Sequence, residues 1–236
     1  MAEQKAASRT EKPLKGIRAV DKPRSVGESA YASLKGAIVK GDLHPGQRLV
    51  ESRLSAQMGI SRIPVREAIK KLEQDGLVER LERGGFIVKD PSRAEIEETF
   101  GIRAVLESYA AALATERMDG ATVKRLEETL KGYRGALKRA DISRMTELND
   151  RLDEIIFSAS ASRRLSTLIG NFRDSISRYR RRLLTRLDYA ALSLADHEKI
   201  VEAMRERDPE KVEKLVRGHL LRGKEILLKD MESDGA

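Results

Sequence analysis

Apolar residues recur every three or four positions through the C-terminal two thirds of the chain, and this periodicity constrains the fold more than any other feature. The stripes lie at Val123–Leu137, Met145–Ile156, Leu165–Leu183, Ile200–Met204 and Val212–Leu227. Side chains at that spacing share one face of an α-helix, which buries the face against neighbouring helices. Together with a Ser-x-x-Glu capping box at Ser92, they predict an all-helical antiparallel bundle of about six helices over residues 92–230.

The composition excludes several classes of protein. The 236 residues include no cysteine, which excludes a disulfide framework and a thiolate metal site. Aromatic residues make up only 4% and apolar residues 40%, as suits small helical cores of aliphatic side chains. No apolar run approaches the roughly 20 residues of a membrane span, and the basic N-terminus lacks the apolar segment of a secretory signal. We therefore expect a soluble cytoplasmic protein with no membrane partner.

A different pattern precedes the bundle. Three short helices are predicted between Ser25 and Gly76, each ended at a glycine, and two extended runs follow at Leu77–Leu81 and Phe86–Val88. This is the order of a winged helix-turn-helix, assigned to residues 25–90 in a mainly α chain. Residues 1–24 are polar and lysine-rich and predict a flexible basic tail, either a plain extension or an arm that contacts DNA.

The excess positive charge lies in the same N-terminal part. Residues 1–92 contain 18 Lys and Arg against 12 Asp and Glu, whereas residues 93–236 contain 28 against 26. A basic surface attracts phosphate polyanions, although many basic surfaces are only solvated. Charge alone therefore leaves both interpretations open.

The start of the third helix carries the candidates for reading DNA. Arg62 and Arg66 are four residues apart and share one helix face, opposite the apolar residues. Arginine at the N-terminal end of a recognition helix can donate two hydrogen bonds to guanine. Ser61 and the helix N-terminus can hold a phosphate, and Pro64 lies in the first turn, where its missing N–H is tolerated.

The predicted hairpin supplies a second contact. Gly84 and Gly85 permit a tight turn that brings Arg83 toward the minor groove. Considered alone, each arginine is more simply explained as an exposed, solvated charge. Arranged as helix, turn, helix and basic wing, the set indicates DNA binding.

Residues 31–88 closely resemble the N-terminal domain of GntR-family bacterial transcriptional regulators. The resemblance rests on G-x-L-x-P-G-x-x-L at Gly41–Leu49, S-R-x-P-V-R-E-A at Ser61–Ala68, L-x-x-x-G-L-V at Leu72–Val78 and the R-G-G of the wing. Four motifs spread over about sixty residues make a specific match.

The resemblance implies roles for individual residues. Arg62 and Arg66 correspond to base-reading arginines, Ser61 to a phosphate or base contact, and the two wing glycines to the wing tip. Glu67 is expected to orient the neighbouring arginine. Ile63 departs from the threonine of many members, so an apolar contact would replace a hydroxyl contact.

Two of the three histidines lie along apolar stripes of the predicted bundle. His197 and His219 point toward its interior, and Asn149 and Asp153, four residues apart, flank another stripe. An inward histidine is usually a satisfied core residue, yet two of them with an amide and a carboxylate also suit a metal or polar-ligand pocket. Both interpretations stay open on spacing alone.

The bundle also resembles the FCD ligand-binding domain of the FadR subfamily. The matching segments are R-x-x-L-E at Arg103–Glu107, A-D-H-E-x-I at Ala195–Ile200 and the pair His219-Leu220. The resemblance implies one divalent metal ion (Zn²⁺, Mn²⁺ or Ni²⁺) per subunit, and its expected ligands are Asn149, Asp153, His197 and His219.

One expected ligand departs from the family. Asp153 stands where a histidine is usual, which makes the set more oxygen-rich, and some relatives bind their effector without metal. Arg103 can pair with an effector carboxylate. The run Arg178–Arg186 offers further candidates, although a solvated face explains it as simply.

These features favour a homodimeric transcriptional regulator over two alternatives. We expect a repressor that binds a palindromic operator and is controlled by a small organic acid bound in the helical domain. An architectural DNA-binding dimer without effector is one alternative. A metal-dependent hydrolase using Asp153, His197 and His219 is the other, but the chain has no H-E-x-x-H motif, nucleophile elbow or phosphate loop. We therefore predict no enzymatic activity.

Overall fold

Three helices and a small sheet form the N-terminal domain. A computed structural model describes residues 25–234, so the predicted tail at 1–24 lies outside the described residues. The elements are α1 (Val26–Lys40), β1 (Arg48–Leu49), α2 (Glu51–Met58), α3 (Arg62–Gln74), β2 (Val78–Arg80) and β3 (Phe86–Val88). Leu34, Val65, Ile69 and Leu72 are central to an apolar core of their own. The predicted winged helix-turn-helix is confirmed.

The sheet has one strand more than the sequence predicted. The strands pair antiparallel in the order β1-β3-β2, with Arg48 opposite Ile87 and Leu49 opposite Phe86. A strand of two residues is too short to show the alternation that identifies strands in a sequence. The extra strand ties the start of α2 to the wing.

Helices make up all the regular structure after residue 92. They are α4 (Arg93–Arg117), α5 (Gly120–Lys138), α6 (Ile142–Ala159), α7 (Arg163–Ser175), α8 (Ser177–Thr185), α9 (Leu187–Arg205) and α10 (Pro209–Asp234). The predicted capping box opens α4: Ser92 Oγ accepts from the Glu95 N–H at 3.3 Å, and Glu95 Oε2 accepts from the Ser92 N–H at 2.9 Å. The apolar stripes meet in a large core with Leu126, Tyr133 and Met145 fully buried. The predicted helical domain is confirmed, and none of its described helices is long and apolar enough to cross a membrane.

The stripe Leu165–Leu183 forms two helices where the sequence predicted one. The break lies at Ile176, whose φ of −115° and ψ of 16° are not helical. Ile176 is fully buried beside Ile96, Phe100 and Leu227 in a third apolar cluster. Because both helices bury the same side, the periodicity continues across the break and conceals it.

Candidate DNA-binding surface and effector cavity

The N-terminal end of α3 is presented to solvent. Ser61 occupies the N-cap position but makes no side-chain capping bond, so its hydroxyl is not engaged in the cap. Arg62, Ile63 and Arg66 are exposed, with Ile63 at 69%. Pro64, in the first turn, is half-buried. The glycine before this helix, Gly59, has a φ of 65°, a conformation that ends α2 and turns the chain into α3. Exposed side chains at the start of such a helix are the ones that reach base edges.

A glutamate on the preceding helix holds Arg66 in place. The Arg66 Nε donates to Glu51 Oε1 at 2.9 Å and its NH2 to Oε2 at 2.7 Å. This hydrogen bonding lowers the pKa of Glu51. Glu67, expected to orient an arginine, lies instead against α1, with its Oε2 3.0 Å from where a Gly27 β-carbon would stand. The expected role of Glu67 is therefore corrected, since it is Glu51 that positions Arg66.

The wing turn depends on an arginine that the sequence did not single out. Gly84 and Gly85 have φ of 84° and 94°, and Arg83 beside them is exposed. The Arg48 NH2 group donates to Gly84 O at 3.3 Å and would lie 3.2 Å from a β-carbon at Gly85. A groove between α3 and the wing also includes the cations Lys70 and Arg80. Contact of any of these residues with DNA stays a prediction.

The helical domain contains a partly open cavity of about 50 Å³, lined by both polar and apolar side chains. All five residues predicted to bind metal or effector line it: Arg103, Asn149, Asp153, His197 and His219. The lining has three further polar residues: Glu107 and Tyr189, which sequence reasoning did not assign to it, and Arg180. Arg180 lies within the arginine run Arg178–Arg186, where a solvated face was an open interpretation. That interpretation is wrong for Arg180, whose side chain is largely buried.

Two guanidinium groups hold the carboxylate of Asp153. Oδ2 accepts hydrogen bonds from Arg173 NH2 and, at 3.0 Å, from Arg180 NH2. Burial raises the pKa of Asp153, but the positive charges of Arg173 and Arg180 outweigh burial and keep that pKa below its usual value. Asp153 is therefore an anion already neutralised by protein cations.

The two histidines differ in their partners. Their ring centroids are 4.7 Å apart. His219 Nδ1 lies 3.2 Å from Asp196 Oδ2, and Asp196 also accepts from Arg222 NH1 at 2.7 and 2.8 Å. Because a carboxylate accepts, His219 donates through Nδ1 and its Nε2 is an acceptor when the ring is neutral. His197 Nδ1 is buried without a partner among the described residues, and burial lowers the His197 pKa to about 3.

This donor set does not fit a divalent cation. Within residues 25–234 no three histidine or acidic side chains are grouped as a metal ion would require. The Asp153 carboxylate is engaged by two arginines, and the guanidinium groups of Arg103 and Arg180 stand beside the histidines. Guanidinium groups donate and cannot ligate a metal. The metal expectation stays a prediction for elemental analysis, and no step below depends on it.

The buried side chain of Arg103 forms an ion pair with a glutamate. Its Nε donates to Glu107 Oε1 at 2.7 Å, one helical turn away on α4. Its NH1 group has no hydrogen-bond partner among the described residues. Arg103 thus retains an unused donor in the lining of the cavity.

Neighbouring residues on α7 and α8 contact the cavity and the DNA-binding domain. Arg173 contacts Asp153, whereas Asp174 forms an ion pair with Lys35 of α1 at 2.7 Å. On α8, Arg180 contacts Asp153, whereas Arg178 contacts Asp90 at the end of the winged domain. The two domains are therefore joined by the same short segment that supplies Arg180 to the cavity lining and Arg173 to the lining residue Asp153.

Families of known proteins match both parts of the chain. The profile "Bacterial regulatory proteins, gntR family" matches residues 27–88, and the FCD domain profile matches residues 98–222. The chain is 31% identical over 204 residues to the HTH-type transcriptional regulator YdhC of Bacillus subtilis, covering 85% of this chain and 90% of that protein. It is 28% identical over 196 residues to the HTH-type transcriptional repressor RspR of Escherichia coli, covering 83% and 86%.

Solved structures show the same fold. The structure of E. coli McbR/YncC superimposes with a TM-score of 0.74 at 23% identity, covering 88% of this chain and 99% of that one. A transcriptional regulator from Rhodococcus sp. RHA1 gives 0.70 at 22% identity, covering 86% and 97%. The fold and both resemblances stated from the motifs are confirmed.

Proposed function

This chain belongs to the gntR family of bacterial regulatory proteins and carries an FCD domain, so it is a transcriptional regulator, and from that premise we propose a repressor controlled by a small organic acid. One observation carries the proposal. An exposed recognition helix and a cavity lined by charged side chains occur in one chain, linked by α7 and α8. Bacterial DNA lies in the cytoplasm, so we infer that the protein acts there.

The proposed DNA contacts follow from the exposed end of α3. Arg62 and Arg66 present guanidinium groups that can bind guanine O6 and N7 in the major groove. The Ser61 hydroxyl makes no capping hydrogen bond, so it can donate to a phosphate together with the N–H groups at the start of α3. Arg83, at the wing tip, is proposed to enter the minor groove beside it.

The proposed switch is a competition for the buried cations. An organic acid entering the cavity would take hydrogen bonds from Arg180 and thereby loosen its contact with Asp153. Because the adjacent residues Asp174 and Arg178 bind the DNA-binding domain, movement of α7 or α8 would change the position of that domain. An effector that favours one position changes operator affinity by the difference between its affinities for the two positions.

We also propose a homodimer that binds two half-sites about one DNA turn apart. On α4, Val105 and Tyr109 are four residues apart and both about half exposed, an apolar pair suited to a second copy. Light scattering should give a dimeric mass for the wild type and a smaller mass for Val105→Asp/Tyr109→Asp. A monomeric wild type would contradict the dimer.

The DNA-binding assignment can be tested on an operator selected from random DNA. Selection from a random duplex library gives the preferred sequence, and mobility shifts compare it with random duplex. Arg66→Ala should lower affinity for the selected sequence on the order of tenfold or more while leaving the melting temperature unchanged. Arg205→Ala is the matched control, because Arg205 is 58% exposed and pairs with a glutamate as Arg66 does. Wild-type binding by Arg66→Ala would reject the assignment.

Repression and the two alternative functions are tested by separate experiments. The selected sequence placed over a reporter promoter should lower expression when the protein is present, whereas increased expression would indicate an activator. Family membership does not favour the architectural or the hydrolase alternative. We infer no catalytic role for Asp153, His197 or His219, and turnover of any hydrolase substrate would contradict this inference.

A further inference from the structure

We propose that the cavity binds a small hydroxycarboxylate directly through buried arginine side chains, with no metal ion between ligand and protein. The inference rests on the proposed function, because it names the ligand class of the same cavity. It also replaces the metal site implied by the family resemblance with the buried guanidinium groups of Arg103, Arg173 and Arg180.

The first support is the balance of buried charge. Arg103, Arg173 and Arg180 bring three guanidinium groups to the cavity and its wall, against the carboxylates of Glu107 and Asp153. Asp150 also contacts Arg173 and Arg180, each at 3.2 Å, but its side chain is 56% exposed and screened by solvent. Asp196 adds a third buried carboxylate, but it lies beside His219 and pairs with the part-exposed Arg222. Around Asp153 and Glu107, three guanidinium groups share two buried carboxylates, so an anion bound there would meet positive charge that attracts it, whereas a divalent cation would be repelled.

The second support is a pair of buried nitrogen atoms without partners. Arg103 NH1 and His197 Nδ1 have no hydrogen-bond partner among the described residues, and both residues line the cavity. A guanidinium N–H can only donate, so Arg103 NH1 requires an acceptor. A carboxylate supplies two acceptor oxygens that match guanidinium groups in geometry and charge. A metal ion accepts no hydrogen bond and would leave this donor unpaired.

The histidines indicate a hydroxyl on the ligand. His219 lines the cavity, and when its ring donates through Nδ1 to Asp196 and carries no second proton, Nε2 can accept a hydrogen bond. His197, kept neutral by burial, can donate from one nitrogen and accept at the other. A hydroxyl beside the carboxylate can use both rings, because it donates one hydrogen bond and accepts others.

The cavity sets the size of the ligand. A water molecule requires roughly 10–15 Å³ of such space, so about 50 Å³ accommodates only a few. A ligand the size of glycolate fits, whereas a large sugar acid would have to displace lining side chains. Burial and the neighbouring Arg173 charge also lower the pKa of Arg180 to about 10, and a bound anion would relieve this unfavourable environment.

Calorimetry on the full chain tests the absence of a metal bridge. Protein dialysed against EDTA and shown by elemental analysis to be metal-free is titrated with glycolate and with acetate, which lacks the hydroxyl. Glycolate should bind, acetate should bind more weakly, and added Zn²⁺, Mn²⁺ or Ni²⁺ should change the glycolate affinity less than about twofold. Glycolate binding that disappears with EDTA and returns with a metal overturns the proposal, as does no glycolate binding under either condition.

One substitution gives opposite results for the two kinds of site. Asp153→Asn removes the carboxylate that competes for Arg173 and Arg180, so glycolate should bind on the order of tenfold more tightly. At a metal-bridged site the same change removes a ligand and should weaken binding, which would overturn the proposal. Arg180→Gln should weaken binding by about tenfold or more, and Arg205→Gln is the exposed-arginine control. If either cavity variant fails to fold, the wild-type comparison with and without metal still decides.

A mobility shift with the same preparation separates this inference from the function on which it rests. Retained sequence-specific DNA binding without glycolate binding rejects only the ligand class. Loss of both in folded wild-type protein rejects the proposed function itself.

Discussion

Arg66 and Arg103 form the same kind of ion pair in two different environments. Each guanidinium lies 2.7 Å from a glutamate. Between α3 and α2, the side chains of Arg66 and Glu51 are 56% and 25% exposed, whereas those of Arg103 and Glu107 in the helical domain are 2% and 4% exposed. Water can replace either partner of the first pair at little cost, because exposed ion pairs are weak. Neither partner of the second pair can separate unless another charge or hydrogen bond takes its place.

The difference in exposure indicates that the DNA-binding domain and the helical domain use their arginines in different ways. An exposed arginine held loosely by Glu51 can exchange a carboxylate for a base or a phosphate and still be correctly placed. We expect the buried cluster around Asp153 to respond only to a ligand that itself supplies negative charge and hydrogen-bond acceptors. Four predictions test this contrast, in order of expected effect.

The largest effect is expected from the centre of the buried cluster. Asp153→Asn should lower the free energy of unfolding by about 3–5 kcal/mol, because it leaves two buried guanidinium groups without their shared carboxylate. Asp150→Asn is the control, since Asp150 touches the same arginines from an exposed position and should cost less than about 1 kcal/mol. Urea denaturation measures both. Equal losses would show that burial does not distinguish the two carboxylates.

The next effect is a dependence of stability on pH. The folded-state pKa of His197 is lowered to about 3, so the unfolded chain binds a proton below about pH 6.5 that the folded protein does not. Stability is therefore complete above pH 6.5 and falls as the pH decreases, by about 2 kcal/mol between pH 7.5 and 5. His197→Asn should lack this part of the profile. Parallel profiles for variant and wild type would contradict a buried neutral imidazole.

A smaller effect is expected at the contact between the DNA-binding domain and the helical domain. Lys35→Gln or Asp174→Asn removes the contact between α1 and α7, so glycolate should weaken operator binding about threefold less than in the wild type. The double variant should show the same response as either single variant, because the other contact of Lys35, with Asp75, lies within the DNA-binding domain. Lys40→Gln, at the exposed end of α1, is the control. An unchanged response would place the coupling elsewhere.

The smallest effect concerns the exposed pair. Glu51→Gln removes the carboxylate that orients Arg66 and also removes a negative charge from the DNA-facing groove. Affinity for random duplex should rise while preference for the selected sequence falls about twofold. Increased preference would mean that Glu51 only masks Arg66.

The parts predictable from the sequence are those encoded by neighbouring residues. Glycine turns, the Ser92 capping box and apolar spacing indicated the winged domain and the helical domain because each signal lies within a few residues. Partners distant in sequence were not predictable. Glu51 lies 15 residues from Arg66, and the arginines that neutralise Asp153 lie 20 and 27 residues away. Arg180 was hidden in a run of similar residues, where only tertiary packing decides which arginine faces inward.

The break at Ile176 imposes a constraint on chain length. Each residue of a helix advances the side chain by about 100°, and Arg178 and Arg180 lie just beyond the break, facing Asp90 and Asp153 respectively. Inserting or deleting one residue there would rotate α8 and turn both arginines away from their partners. We therefore expect length changes to be excluded between residues 173 and 180, although loops and helix breaks are usually where proteins accept them.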